Sequence, residues 1–235
     1  MRAVILAGGK GTRLRPYTTV LPKPLVPVGE RPILELILNQ LHSSGFSRAD
    51  LCVGHLGGLI RAYLGETGVV PAGLEIHYTW EEEPLGTAGA LHLIERPEES
   101  FLVMNGDILT TLDYGDFLKR HSESGAALTI ATHQKDVPLA LGVIESSDDR
   151  VTGYVEKPTL HYDVSMGIYA YSPWALDYVP EERFDFPDLV SKLIDAGEQV
   201  NSQSFDGQWF DIGTREEHDR AVSAFDAEPD RYDAD

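Results

Sequence analysis

Hydrophobic residues in the first half of the chain alternate between short apolar runs and stretches with helical spacing. Residues 2–6 form an apolar run that predicts a buried strand. Residues 32–44 have the spacing of an amphipathic helix, with a proline near the start and a glycine just past the end. The same reasoning predicts strands at 50–54, 74–80 and 101–105, and helices at 58–64, 86–95 and 114–124. This alternation predicts an α/β sandwich with a largely parallel sheet.

The pattern changes after residue 126, where strands follow one another with short connections. They are predicted at 127–132, 141–146, 151–156 and 164–171, which favours an antiparallel or mixed region. Helices at 187–196 and 215–225 flank one more strand at 208–212. No repeat or flexible linker interrupts the pattern. We therefore expect one domain over residues 1–225, followed by a solvated acidic tail at 226–235.

A glycine-rich stretch follows the first predicted strand and differs in charge from the rest of the chain. It reads LAGGKGTRLRPYTTVLPKPLVPV over residues 6–28 and contains Gly8, Gly9 and Gly11 within four positions. Its cations are Lys10, Arg13, Arg15 and Lys23, and none of the 38 acidic residues precedes Glu30. Bare backbone N–H groups bordered by cations suit a polyphosphate. The stretch predicts a binding loop for a nucleoside triphosphate.

Composition excludes several other classes of protein. The chain has 235 residues, is 42% hydrophobic and carries a formal charge of −19, which argues against nucleic acid or an anionic membrane as the main partner. Cys52 is the only cysteine, has apolar neighbours and is expected to be a small buried core residue. No signal peptide or membrane-spanning run is present, so we expect a cytoplasmic enzyme with small-molecule substrates.

Two common phosphate-binding motifs do not fit the loop. The Walker A pattern is absent, and a GxGxxG pattern starting at Gly9 would place its third glycine at Leu14. Instead, AGGKGTRL followed by PKPLVPV resembles the signature of the sugar-1-phosphate nucleotidyltransferases. Further motifs of that family follow in order: PLGTAGA at 84–90, NGD at 105–107, VEKP at 155–158, GIY at 167–169 and WFDIGT at 209–214. The resemblance covers about residues 1–220 and is nearest to the mannose-1-phosphate and heptose-1-phosphate guanylyltransferases.

The resemblance implies a Rossmann-like three-layer sandwich whose N-terminal half binds nucleotide and whose C-terminal half binds sugar phosphate. It implies catalytic roles for Arg13, Lys23 and Asp107. Arg13 would bind the β- and γ-phosphates, and Lys23 would neutralise charge near the α-phosphate. The nucleotide-binding set implied by the resemblance is Leu6, Ala7, Gly8, Gly9, Gly11, Thr12, Arg13, Lys23, Glu81, Gly86, Thr87 and Asn105.

Two aspartates are candidate ligands for Mg²⁺, the expected cofactor. Asp107 follows a buried strand, at the end where α/β sheets place their ligands, and Asp211 closes a second strand-like run. Mg²⁺ typically takes one or two carboxylates together with phosphate oxygens. Aspartates beside glycine also commonly serve as turn or helix-capping residues, and the resemblance is what favours the metal for both.

Glu81 lies where pyrimidine-specific relatives place a glutamine that reads the base. An ionised carboxylate only accepts hydrogen bonds, and guanine offers two adjacent donors, so Glu81 favours GTP. UTP, dTTP or ATP remain alternatives, because Glu81 to Glu83 also fit an acidic solvated loop.

The family resemblance implies that the sugar phosphate binds to residues in the second half of the chain. The residues are Gly142, Glu156, Lys157 and Ser165, and Ser165 stands where many relatives have an asparagine. The sugar is left unassigned. A homodimer stays open as a further expectation.

Two other functions compete with nucleotidyl transfer. A GT-A-type glycosyltransferase would need an Asp-x-Asp motif where this chain has Asn105-Gly-Asp107. A non-catalytic nucleotide-sugar sensor should have lost Arg13, Lys23 or an aspartate, and the chain retains them. Both rivals are disfavoured on these residues.

Overall fold

The computed structural model describes residues 1–232, which form thirteen strands, six α-helices and several short 3₁₀ turns. The strands are β1 (Arg2–Ala7), β2 (Pro27–Val28), β3 (Arg31–Pro32), β4 (Arg48–Val53), β5 (Glu75–Trp80), β6 (Phe101–Asn105), β7 (Ile108–Thr110), β8 (Leu128–Pro138), β9 (Val143–Ser147), β10 (Arg150–Val155), β11 (Thr159–Tyr171), β12 (Val200–Ser204) and β13 (Trp209–Asp211). The helices are α1 (Ile33–Ser43), α2 (Gly57–Thr67), α3 (Gly86–Gly89), α4 (Tyr114–Ser124), α5 (Phe186–Asp195) and α6 (Arg215–Ala227).

Seven strands form the central sheet in the order β12-β8-β11-β6-β1-β4-β5. β1 pairs in parallel with β4 and β6, β4 with β5, and β8 with β12, whereas β11 is antiparallel to both of its neighbours. Within this sheet, β11 is therefore the strand of opposite direction. The pairs β9–β10 and β7–β13 form separate two-stranded sheets outside it.

Alternate residues of the central strands point into two hydrophobic cores. On one face, Ile5 and Met104 pack with side chains of α1, α2, α4 and α6. On the other face, Val4 and Val103 pack with α5 and the segment that begins at Gly86. The sheet is thus covered on both sides, and the expected mixed, largely parallel α/β sandwich of three layers is confirmed. Cys52 lies in the second core and is fully buried, as predicted.

Local signals set the bounds of several elements. α4 begins after Asp113, whose side chain accepts a hydrogen bond from the backbone N–H of Asp116 at 2.9 Å, and ends at Gly125, which is left-handed. β6 is a continuous apolar strand buried between both cores. For both elements, the observed bounds are the predicted ones.

Other elements differ from the prediction. The helix predicted at 86–95 is the four-residue α3 followed by a 3₁₀ turn, and the polar edge strand β12 was not predicted. β8 and β11 are longer than expected because both continue beyond the sheet as a paired arm. The expected acidic tail also differs, because α6 runs to Ala227 and Tyr232 is fully buried near Phe225. The last three tail residues, 233–235, lie outside the described residues.

No helix within residues 1–232 combines the length and apolar character that crossing a bilayer requires.

Candidate active site

A cavity of about 440 Å³ opens where β1 and β6 end, beneath the glycine-rich loop. Parallel strands bring their carboxyl ends to one edge of the sheet, so the segments after β1, β5 and β6 meet there. All twelve residues that the resemblance assigns to the nucleotide line this cavity, together with Asp107. Pro24, Pro84, Gly106 and Gly213 also line it and were not assigned from the sequence. The binding roles of these residues stay predictions, but their convergence on one cavity is a structural fact.

The glycine-rich loop is held in shape by its own hydrogen bonds. Gly11 is left-handed (φ 57°), and its carbonyl accepts from the Leu14 N–H at 3.0 Å and from the Thr18 hydroxyl at 2.7 Å. The resulting 3₁₀ turn, Thr12–Leu14, buries Leu14 and leaves Arg13 exposed. The loop therefore presents a cation to the cavity from a fixed backbone.

Gly213 has both Arg13 and a carboxylate close to it, and its missing side chain leaves space for them. A Cβ on Gly213 would stand 3.4 Å from Arg13 Nη2 and 3.4 Å from Glu217 Oε2. Glu217 belongs to the first turn of α6, which Thr214 caps by accepting from the Glu217 N–H at 3.3 Å. The sequence reasoning missed Glu217, although the Thr-x-x-Glu pattern at 214–217 is a recognisable capping signal.

Lys23 and Asp107 form an ion pair at the floor of the cavity. The Lys23 Nζ donates to Asp107 Oδ2, and the two side chains are 14% and 15% exposed. Burial lowers the pKa of the Lys23 ammonium; Asp211 and Glu217 oppose the shift, and Arg13 adds to it. A poorly hydrated ammonium of this kind is a strong partner for an incoming anion.

The pairing of β7 with β13 brings the second predicted metal ligand beside the first. Asp211 stands opposite Ile108 in this pairing, and the Ile212 N–H donates to the Asp107 carbonyl at 3.1 Å. Asp107 Oδ1 is buried and has no hydrogen-bond partner. An unsatisfied buried carboxylate oxygen fits a cation. Over residues 1–232, no cluster of three or more His, Cys, Asp or Glu side chains is arranged to bind a metal. An ion held by Asp107 and Asp211 would therefore need further ligands that are not side chains of this kind.

Glu81 enters the cavity from the end of β5. Its backbone N–H donates to the Val53 carbonyl at 2.8 Å, and its Oε2 accepts from the Leu85 N–H at 3.1 Å. Its Oε1 lies against the Cα of Gly8, and a Cβ at Gly8 would collide with it. The carboxylate is thereby held between the phosphate loop and the segment that leads into α3.

The four predicted sugar-phosphate residues fall into two groups. Ser165 lies at the bulge of β11 and donates to the Tyr169 hydroxyl at 3.2 Å, and the neighbouring Gly167 packs against the Asn105 side chain. Ser165 is thus close to the cavity that Asn105 lines.

The other three residues lie at the β9–β10 hairpin, and the structure does not bring them into the cavity lining. The Tyr154 hydroxyl packs against Gly142 and donates to Glu156 Oε2 at 2.7 Å. Lys157 Nζ lies 3.9 Å from Glu156 Oε1, and both side chains are exposed.

Comparison with known proteins agrees with this geometry. The family model for nucleotidyl transferases matches residues 2–226. The UTP–glucose-1-phosphate uridylyltransferase of Synechocystis sp. is 35% identical, over 94% of this chain and 62% of that protein. The mannose-1-phosphate guanyltransferase of Candida albicans is 33% identical, over 91% of this chain and 61% of that protein. The chain therefore spans about three fifths of the length of these relatives.

A solved structure of another protein has a similar fold. The HddC protein of Yersinia pseudotuberculosis, in complex with GMP-PN, superimposes with a TM-score of 0.72 at 27% identity, over 95% of this chain and 99% of that one. The fold, the family match and the identity to both relatives show that the chain belongs to the nucleotidyl transferase family.

Proposed function

We propose that the protein condenses a nucleoside triphosphate with a sugar 1-phosphate to give a nucleotide sugar and pyrophosphate. The observation that carries this proposal is the single cavity in which the glycine-rich loop, Lys23, Asp107 and Glu81 converge. The names of the relatives support the same class of reaction, since one is a uridylyltransferase and the other a guanyltransferase, both acting on a sugar 1-phosphate.

In the proposed reaction, a phosphate oxygen of the sugar 1-phosphate attacks the α-phosphorus in line with the departing pyrophosphate. No general base is required, because the second pKa of a phosphate monoester is about 6 and the nucleophile is already ionised at neutral pH. Catalysis then consists of positioning and charge neutralisation. Arg13 would neutralise the pyrophosphate, and Lys23 would leave Asp107 to contact the α-phosphate.

Asp107 and Asp211 are the residues that would hold Mg²⁺. The buried, unpartnered Oδ1 of Asp107 supports a cation there, and the remaining ligands would be phosphate oxygens and water. When bound, the ion would polarise the α-phosphate and neutralise charge on it. Lys23 is paired with Asp107 in this structure, so Lys23 would release this carboxylate before Asp107 could hold the ion.

Glu81 supports guanine as the preferred base. Its backbone and Oε2 are fixed by Val53 and Leu85, so its carboxylate is a pre-oriented acceptor in the cavity. Guanine presents N1–H and its 2-amino group side by side, whereas uracil and thymine present one donor between carbonyl oxygens that a carboxylate repels. The HddC complex with a guanine nucleotide analogue is consistent with this preference, and the uridylyltransferase relative keeps UTP as the alternative.

The sugar phosphate would lie between Ser165 and the β9–β10 hairpin. Lys157 supplies a cation for its phosphate and Glu156 an acceptor for its hydroxyls. Because both lie on the exposed hairpin, this half of the site depends on the hairpin approaching the cavity when substrate is bound.

Pyrophosphate release with Mg²⁺ tests the proposal, with GTP, UTP, dTTP, ATP and CTP each combined with a panel of sugar 1-phosphates. We expect release with at least one pair and the highest kcat/KM with GTP. Asp107→Ala should abolish release without unfolding the protein, and Asp206→Ala, which changes an exposed aspartate, is the matched control. No release with any pair would refute the proposed reaction, and undiminished release from Asp107→Ala would refute the metal assignment.

A further inference from the structure

The start of α5 and the start of α3 cap each other. Asp185, the residue before α5, accepts from the Thr87 N–H at 3.1 Å and from the Thr87 hydroxyl at 3.4 Å. The Thr87 hydroxyl oxygen in turn accepts from the Phe186 N–H at 2.8 Å. Each residue therefore satisfies a free backbone N–H at the N-terminus of the other helix, across nearly 100 residues of sequence.

Backbone hydrogen bonds strengthen the same junction. The Phe184 carbonyl accepts from the N–H groups of Ala88 and Gly89 at 3.0 and 2.9 Å, and the Phe184 N–H donates to the Leu85 carbonyl at 2.8 Å. Gly86 is left-handed (φ 84°), and a Cβ there would stand 2.6 Å from both Asp185 Oδ1 and the Phe184 carbonyl oxygen. The N–H groups of Thr87, Ala88 and Gly89 are thus occupied by protein and are not free to bind a phosphate.

The segment of residues 184–186, which contacts the start of α3, is itself anchored in the core. The ring of Phe186 stacks on Tyr169 with centroids 3.8 Å apart and planes 23° apart, and Phe186 is buried. Tyr169 lies on β11, an interior strand of the central sheet. Asp185 is therefore held at a fixed point relative to the sheet, while the segment from Glu81 to Thr87 has little regular structure of its own.

We propose that Asp185 is a positioning residue for the nucleotide, acting through Thr87 on the segment that carries Glu81. This inference rests on the proposed function. Asp185 is not part of the cavity lining, so it does not touch the base itself. Its carboxylate fixes the direction of the Gly86–Thr87 peptide, and Leu85, one residue earlier, holds Glu81 Oε2. Loss of the carboxylate should therefore weaken nucleotide binding and leave the chemical step largely unchanged.

The test compares Asp185→Ala, Asp185→Asn and the control Asp188→Ala, which changes the next, exposed aspartate of the same helix. Nucleotide affinity is measured by titration calorimetry, with whichever of GTP, UTP, dTTP or ATP the wild type binds most tightly. We expect Asp185→Ala to raise Kd and KM for that nucleotide about five- to tenfold, which corresponds to the net contribution of one ordinary hydrogen bond, with kcat within about twofold. Asp185→Asn keeps an oxygen acceptor for the Thr87 N–H and should restore most of the affinity.

Amide hydrogen exchange separates positioning from general stability. Asp185→Ala should lose protection at residues 85–89, with β1 and β6 unchanged. A nucleotide Kd no weaker than that of Asp188→Ala, or a defect that Asp185→Asn does not correct, would overturn the inference. Loss of protection throughout the core would also overturn it, because it would indicate a structural role only. If the wild type releases no pyrophosphate, the proposed reaction fails, while exchange at 85–89 and the nucleotide Kd still decide the role of Asp185.

Discussion

Removal of the Lys23 ammonium should destabilise the protein and make its stability depend on magnesium. Lys23→Met keeps most of the side-chain volume and deletes the cation that donates to Asp107 Oδ2. Asp107 then loses its paired cation, while its Oδ1 already lacks a partner and Asp211 stands on the neighbouring strand. The variant therefore contains two carboxylates close together and no ammonium between them.

The burial of the pair sets the size of this effect. Breaking a fully buried ion pair costs about 3–5 kcal/mol, and an exposed pair contributes about 0–1 kcal/mol. With side chains 14% and 15% exposed, the Lys23–Asp107 pair is partly buried and lies between these two limits, and we expect a loss of about 2 kcal/mol. For a chain of this length, that corresponds to a Tm lower by about 4–8 °C.

Thermal unfolding with and without Mg²⁺ is the assay. Because Lys23 no longer competes for Asp107, 10 mM Mg²⁺ acting at a Kd of about 1 mM should return about 1.4 kcal/mol to the variant. The wild type should change little. Lys10→Met, which removes an exposed lysine of the same loop, should behave like the wild type. In the double variant Lys23→Met/Asp107→Asn, Tm should recover relative to Lys23→Met, and the response to Mg²⁺ should disappear.

Two results would refute this reasoning. If Lys23→Met unfolds at the wild-type temperature, the pair does not stabilise the fold, and Asp107 is not left as an unpaired charge. If Mg²⁺ stabilises wild type and Lys23→Met equally, the ammonium and the metal do not share a site.

Three further predictions concern base choice, pH and the C-terminal segment. Glu81→Gln should lower the ratio of kcat/KM for GTP to that for UTP at least about tenfold, because an amide can pair with uracil. Glu82→Gln is the matched control. An unchanged ratio in Glu81→Gln would show that Glu81 does not recognise the base. Burial lowers the pKa of His121 to about 4. Between about pH 6.5 and 4, the unfolded chain therefore binds more protons than the folded protein. The free energy of unfolding falls as the pH drops through that window. His121→Asn should reduce the loss between pH 7 and 4.5 by about 2–3 kcal/mol in urea titrations, whereas a variant of the exposed His55 should keep the wild-type slope. Tyr232→Ala should cost about 3 kcal/mol in the same titration, since the ring is fully buried, and a loss below about 0.5 kcal/mol would mean that its packing does not contribute to stability.

The part of the cavity lining formed by the glycine-rich loop was predictable because its residues lie close together in sequence. The glycine-rich loop places Gly8, Arg13 and Lys23 within sixteen positions, and each of them lines the cavity. Similarly, α4 and β6 were predicted with their observed bounds because Asp113, Gly125 and a continuous apolar run are local signals.

What the sequence did not reveal depends on contacts between distant segments. Asp185 contacts Thr87, and Glu217 and Arg13 come to lie close to Gly213, only after the sheet has assembled. No local pattern at either acidic residue points to these neighbours. β12 was missed because its side chains are mostly polar, as suits the edge of a sheet, and it is specified by its pairing with β8. The helix predicted at 86–95 stops early because Gly86 and Gly89 are packed against the backbone of residues 182–184.

The pairing of β7 with β13 has a consequence for how the protein becomes active during synthesis. β7 is made well before β13, but Asp211 pairs beside Asp107 and Gly213 lines the cavity only when β13 and the residues just after it have been made and docked. A nascent chain that has folded as far as β12 would possess the phosphate loop and one carboxylate and still lack the other. On the proposed function, a chain truncated before β13 would lack this second carboxylate and would be inactive rather than partly active.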